Sequence, residues 1–84
     1  MNYRVVFETR AKREFTSLPS EMQRQLADVI NDLEKNPRPH GSKKLIQKAG
    51  YRIRKGKYRI LFTIDDSKKQ VLVYRIGHRK EIYR

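Results

Sequence analysis

The chain has 84 residues and carries 21 Lys and Arg against nine Asp and Glu, a formal net charge of +12; it makes one domain, 1–84, and a large internal active site is excluded because folding at this size hides only about 60% of the unfolded surface. Leu, Ile, Val and Phe supply 21 of the 84 residues, above the level of about 20% below which strongly charged chains stay disordered, so a folded protein is expected. There is no cysteine for a disulfide or thiolate metal site, and no apolar run approaches the roughly 18 residues of a membrane span or forms a signal peptide, so the chain reads as cytoplasmic with no membrane partner.

Tyr3, Val5 and Phe7 alternate with polar or outward positions, which predicts a first strand with one buried face. From about Thr9 to Leu18, Ala11, Phe15 and Leu18 fall four and three apart and share one face of a first helix, which Leu18-Pro19-Ser20 breaks. Ser20 and Gln23 have capping-box spacing at the start of a second helix, whose stripe is Met22, Leu26, Val29, Ile30 and Leu33 and which Asn36-Pro37 ends. The two helices are expected to pair as an antiparallel hairpin, followed by a loop through Pro37-Arg38-Pro39-His40-Gly41.

The second half is strand-like. Tyr51–Lys55 and Tyr58–Ile64 flank Gly56-Lys57, and Gly in the first central position suits a two-residue type II′ turn. That turn fixes the register, with Arg54 opposite Arg59, Ile53 opposite Ile60 and Tyr51 opposite Phe62. One face then carries Tyr51, Ile53, Tyr58, Ile60, Phe62 and Ile64, and the other Arg52, Arg54 and Arg59. Like charges about 5 Å apart across a sheet destabilise it, so folding alone does not select this arrangement. A third strand from about Gln70 to Ile76 is expected to put Leu72, Tyr74 and Ile76 in the core if Phe62 pairs with Leu72, with Val71, Val73 and Arg75 on the arginine face. The fold class is therefore α+β, in the order β-α-α-β-β-β, with helices covering one face of a mainly antiparallel sheet.

Charge is concentrated where this sheet lies: residues 1–47 sum to +3 and residues 48–84 to +9. A polyanion, nucleic acid before membrane, is the expected partner. The chain has no Asp/Glu/His cluster of metal-ligand type, no paired carboxylates, no Gly-rich phosphate loop and only two histidines, His40 and His78, so no cofactor is expected. Several guanidiniums, lysines, one histidine and a terminal tyrosine suit phosphate chemistry. In RNA a 2′-hydroxyl can attack its own adjacent phosphate, leaving a protein to align the backbone, stabilise the phosphorane and move protons. Arginine does the first two but is a poor proton acceptor, so Tyr83, His78 or a lysine is the candidate base.

Tyr51-Arg-Ile-Arg54, Tyr58-Arg59, Asp65-Asp66 and the ending Ile76-Gly-His-Arg-Lys-Glu-Ile-Tyr83-Arg84 resemble the C-terminal signature of RelE-type toxins of the RelE/ParE superfamily. The Leu18-Pro19 break, the Asn36-Pro37 helix end and Gly41-Ser-Lys-Lys-Leu45 extend the resemblance over nearly the whole chain. It implies the toxin of a type II toxin–antitoxin pair: a metal-independent endoribonuclease that enters the ribosomal A site, contacts rRNA, cleaves mRNA and is held inactive by a cognate acidic antitoxin, with operator DNA reached through the antitoxin complex. By motif position it implies catalytic roles for Arg59, Arg79 and Tyr83 and substrate binding by Arg52 and Arg54; His78 is a further substrate-binding candidate. A ParE-like gyrase inhibitor and a non-catalytic basic nucleic-acid-binding module are the alternatives.

Overall fold

A computed structural model describes residues 2–78. Its elements run β1 (Arg4–Phe7), α1 (Thr9–Thr16), α2 (Ser20–Lys35), β2 (Lys43–Lys44), β3 (Tyr51–Lys55), β4 (Tyr58–Asp65) and β5 (Gln70–His78). The strands form one sheet in the order β1-β5-β4-β3-β2, with β1 parallel to β5 and the other pairs antiparallel. Both helices lie on the sheet, α1 against β5 and β1, α2 against β1 and β3. This is the expected α+β arrangement with one strand more: β2 is two residues long, too short for any periodicity to reveal.

The helical stripes make the core. Ala11 of α1 and Leu26, Ile30 and Leu33 of α2 bury against Ile53, Ile60, Phe62, Val71, Val73 and Ile76 of the sheet. Val5 and Phe7 of β1, with Tyr3 just before it, pack against this cluster, as their alternation predicts.

The capping box expected at Ser20 does not form. Pro19 occupies the N-cap position, no side chain caps the helix, and Ser20 is already the first helical residue. Gln23 works on the neighbouring helix instead: its Nε2 donates to carbonyl oxygens at the end of α1, lying 3.1 Å from those of Phe15, Thr16 and Leu18. One amide side chain therefore serves the orphan carbonyls of a helix end and fixes the tight turn between α1 and α2.

The third-strand register differs from expectation. Phe62 pairs with Val73, not Leu72, and a bulge at Leu61/Phe62 leaves Tyr74 as the extra residue between Val73 and Arg75. One added residue reverses strand parity. Val71 and Val73, expected on the arginine face, are fully buried in the core, while Leu72 and Tyr74, expected in the core, stand outside it. The bulge is what lets Val73 and Ile76, an odd number of residues apart, both pack under the helices.

Candidate nucleic-acid interface

The basic surface is built on the β3–β4 hairpin. Gly56 has φ +59, and Lys57 is not among the positive-φ residues, the pattern of the type II′ turn that the sequence predicts. The register follows: Lys55 opposite Tyr58, Arg54 opposite Arg59, Ile53 opposite Ile60, Arg52 opposite Leu61 and Tyr51 opposite Phe62. Arg52, Arg54 and Arg59 therefore share the sheet face turned away from the helices. Arg52 and Arg59 are half-buried and Arg54 is exposed.

The short β2 adds a residue whose place on this face no sequence periodicity reveals. Lys43 pairs with Arg52, so the face holds two cross-strand cation pairs, Lys43/Arg52 and Arg54/Arg59. Each pairing of like charges opposes sheet formation. On the side away from Arg54, Arg59 pairs with Gly77 of β5, and the Arg59 Nε is buried. Leu61, between Arg52 and Arg75 in register, is fully buried yet lies outside the main core cluster.

His78 pairs with Tyr58 and has its ring 5.9 Å from the Tyr58 ring at 77°. By strand parity it lies on the helix side, where it lines a cleft of about 390 Å³ with Glu14 of α1 and with Ser17 and Leu18 of the turn that follows. The structure thus brings Arg52, Arg54 and Arg59 together and sets His78 across the sheet from them. Arg79 and Tyr83 lie outside the described residues.

Glu14 organises the end of β5. The partner strand β1 stops where Phe7 meets Val73, leaving the next edge amides of β5 without a strand neighbour. The Glu14 carboxylate takes that place, accepting from the Ile76 backbone N–H at 2.9 Å and from Arg75 Nε at 3.1 Å. It thereby blunts the exposed edge and holds Gly77 in register with Arg59.

A second charged cluster ties the loop after α2 to the β4–β5 turn. Arg38 makes a two-pronged contact with Asp66 at 2.9 and 3.3 Å, donates through Nε to the Tyr51 hydroxyl at 3.2 Å and lies 5.5 Å from the Tyr51 ring centroid. Tyr3 donates to the same carboxylate at 2.6 Å. These hydrogen bonds, Arg38 first and Tyr3 second, hold the Asp66 carboxyl down at about 2, and Asp66 in turn raises the Arg38 guanidinium above its ordinary value. The pair is a surface clamp. No group of three His, Asp or Glu converges as a metal site among the described residues.

Residues 2–83 match the family model described as the ParE toxin of the type II toxin–antitoxin system parDE. The chain is 35% identical over its whole length to toxin RelG of Mycobacterium tuberculosis, covering 99% of that protein. Among solved structures it is similar to the RelBE2 toxin–antitoxin complex of M. tuberculosis, with a TM-score of 0.83, 30% identity, 94% of this chain and all of that one covered. It is likewise similar to the intact Escherichia coli RelBE toxin–antitoxin complex, with a TM-score of 0.80, 28% identity and 90% and 95% of the two chains covered.

Proposed function

This chain belongs to the RelE/ParE superfamily of type II toxins, and we propose that within it the protein is a ribosome-dependent endoribonuclease, cleaving mRNA by attack of a 2′-hydroxyl on its own phosphate without metal. The observation that carries this reading is the convergence of Arg52, Arg54 and Arg59 on one sheet face, with Lys43 paired to Arg52. Such a face disfavours folding and suits a phosphate backbone.

In the reaction the 2′-oxygen bonds to phosphorus, its proton passes to a base, and the 5′-oxygen leaves with a proton, giving a 2′,3′-cyclic phosphate. Arg52 and Arg54 hold the strand by its phosphates. Arg59, half-buried and flanked by Gly77, stabilises the additional charge of the phosphorane, where a bidentate guanidinium is strongest. Arg79 and Tyr83 supply a second phosphate contact and the base, and the resemblance of the ending supports their roles. His78, on the Tyr58 side of the sheet, contributes to substrate binding from the rim.

The solved M. tuberculosis and E. coli relatives are toxin–antitoxin complexes, which supports a cognate antitoxin here. An acidic segment of that antitoxin covers the arginine face and relieves its repulsion, with operator DNA reached through the complex. The ribosomal A site and rRNA, the remaining partners, place the toxin in the cytoplasm.

The matching model carries the name ParE, which favours gyrase poisoning as the second reading; the arginine-tyrosine ending favours RNA cleavage. Purified protein in a translation assay separates them. Message cut only on ribosomes supports the endoribonuclease, and gyrase-linked DNA breaks with intact message support the alternative.

A further inference from the structure

Between β2 and β3 the chain makes a raised loop over residues 45–50. Its ends are tied by the Leu45 N–H donating to the Gly50 carbonyl at 2.9 Å. Its last residues are held down twice. The Tyr74 hydroxyl, displaced from the core by the β5 bulge, donates to the Ala49 carbonyl at 3.0 Å. Gly50, at φ +101, lies so close to β4 that a Cβ there would collide with the Phe62 carbonyl oxygen.

On this anchored base the loop presents Ile46, 97% exposed and the one large hydrophobic so exposed among the described residues. Beside it is a groove of about 530 Å³, within the range of roughly 300–1,000 Å³ for small-ligand clefts. Lys43, Lys44, Lys48 and Arg52 line it together with Leu45 and Ile46, and the lining includes no carboxylate. Arg52 belongs to both the groove and the arginine face, so the two surfaces are continuous.

We propose that this groove is a nucleotide subsite, seating one base of the RNA strand that flanks the scissile phosphate. The base lies against Leu45 and Ile46, and the phosphates on either side of it meet Lys43 and Arg52. Apolar side chains including isoleucine wedge against base faces in minor-groove complexes, and in single-strand binders a positively charged groove tracks the backbone beside the surface on which the bases lie. An amphipathic protein helix would instead need a row of apolar anchor sites at helical spacing, whereas here one apolar tip stands among four cations. The assignment rests on RNA being the substrate, but its test does not require cleavage.

The chain has no tryptophan, so Ile46→Trp installs a single indole reporter at a site that needs no repacking. Asn31→Trp, on the exposed side of α2, is the reference. Titration with a short oligouridylate, with binding followed in parallel by anisotropy of the labelled RNA, is expected to quench the reporter at 46 saturably and at least twice as strongly as the one at 31. Adding Lys43→Ala should reduce the log–log salt slope of binding by about 0.7, one single-strand phosphate contact. Equal quenching at both positions, no quenching at 46 when anisotropy shows saturation, or no binding at all overturns the subsite. So does quenching by an oligoglutamate peptide in place of RNA, which would assign the groove to an acidic protein. Failure of the unsubstituted protein to cut message on ribosomes would refute the endoribonuclease while leaving a positive quench intact.

Discussion

Arg54 and Arg59 face each other directly across the β3–β4 ladder, each two residues from the Gly56-Lys57 turn, with Gly77 on the far side of Arg59. A hairpin selected for stability alone would place opposite charges or β-branched residues there. The proposed phosphate-binding role of this face accounts for the pairing.

Replacement of Arg59 by alanine should lower ribosomal mRNA cleavage by about 10²–10³-fold, the loss typical of removing one preorganised charge donor, with little change in ribosome binding. Arg59→Lys should recover only part of the rate because the two-pronged geometry is lost. Single-turnover cleavage and a ribosome-binding assay on the same preparations check this. Equal losses in both would make Arg59 an anchor.

Proton transfer separates Tyr83 from His78. A histidine base has an ordinary value near 6.5, so cleavage would level off above about pH 7, whereas a tyrosine base, ordinarily near 10, keeps the rate rising beyond that point. With His78 packed beside Tyr58 across the sheet from Arg59, His78→Ala should keep most of the cleavage rate and Tyr83→Phe should lose most of it. The opposite outcome in single-turnover pH profiles reassigns the base.

The Arg38–Asp66 clamp makes stability depend on acid. Because the Asp66 carboxyl sits at about 2 when folded and near 3.9 when unfolded, its contribution is complete above about pH 4 and disappears as pH falls through 2. Asp66→Asn should therefore be less stable than the parent at pH 6, with the difference closing towards pH 2. Urea unfolding of both proteins across that range measures it, and a difference independent of pH would remove the clamp from the account.

Gly50 and Gly41 have similar positive φ values, +101 and +96, but a Cβ at Gly41 meets nothing within 4 Å while one at Gly50 strikes β4. Both alanine variants bear the left-handed strain of about 1–3 kcal/mol, and Gly50→Ala should lose more, since the backbone must also move away from Phe62. Thermal unfolding of the pair tests the close approach. Equal losses would contradict it.

Much of the architecture was legible in the sequence because it rests on local chemistry. The Gly56-Lys57 turn dictates the hairpin register, and with it the grouping of Arg52, Arg54 and Arg59. The stripes of α1 and α2 mark their buried faces. Three features needed tertiary information. The bulge at Leu61/Phe62 inserts Tyr74 and reverses the parity of β5, which alternation in Gln70–Ile76 cannot reveal because both of its faces are rich in apolar residues. Lys43 joins the basic face through a two-residue strand. Gln23, spaced for a capping box with Ser20, is drawn to the end of α1 because Pro19 holds the N-cap position.

The central claim, that the arginine face directs cleavage of message on the ribosome, is tested most directly by adding purified protein to a defined translation reaction and mapping RNA ends. The account predicts cuts in mRNA that require ribosomes, leave 2′,3′-cyclic phosphates and disappear in the Arg59→Ala variant. Intact message alongside gyrase-dependent DNA breaks, or ribosome binding with no cut, would contradict it.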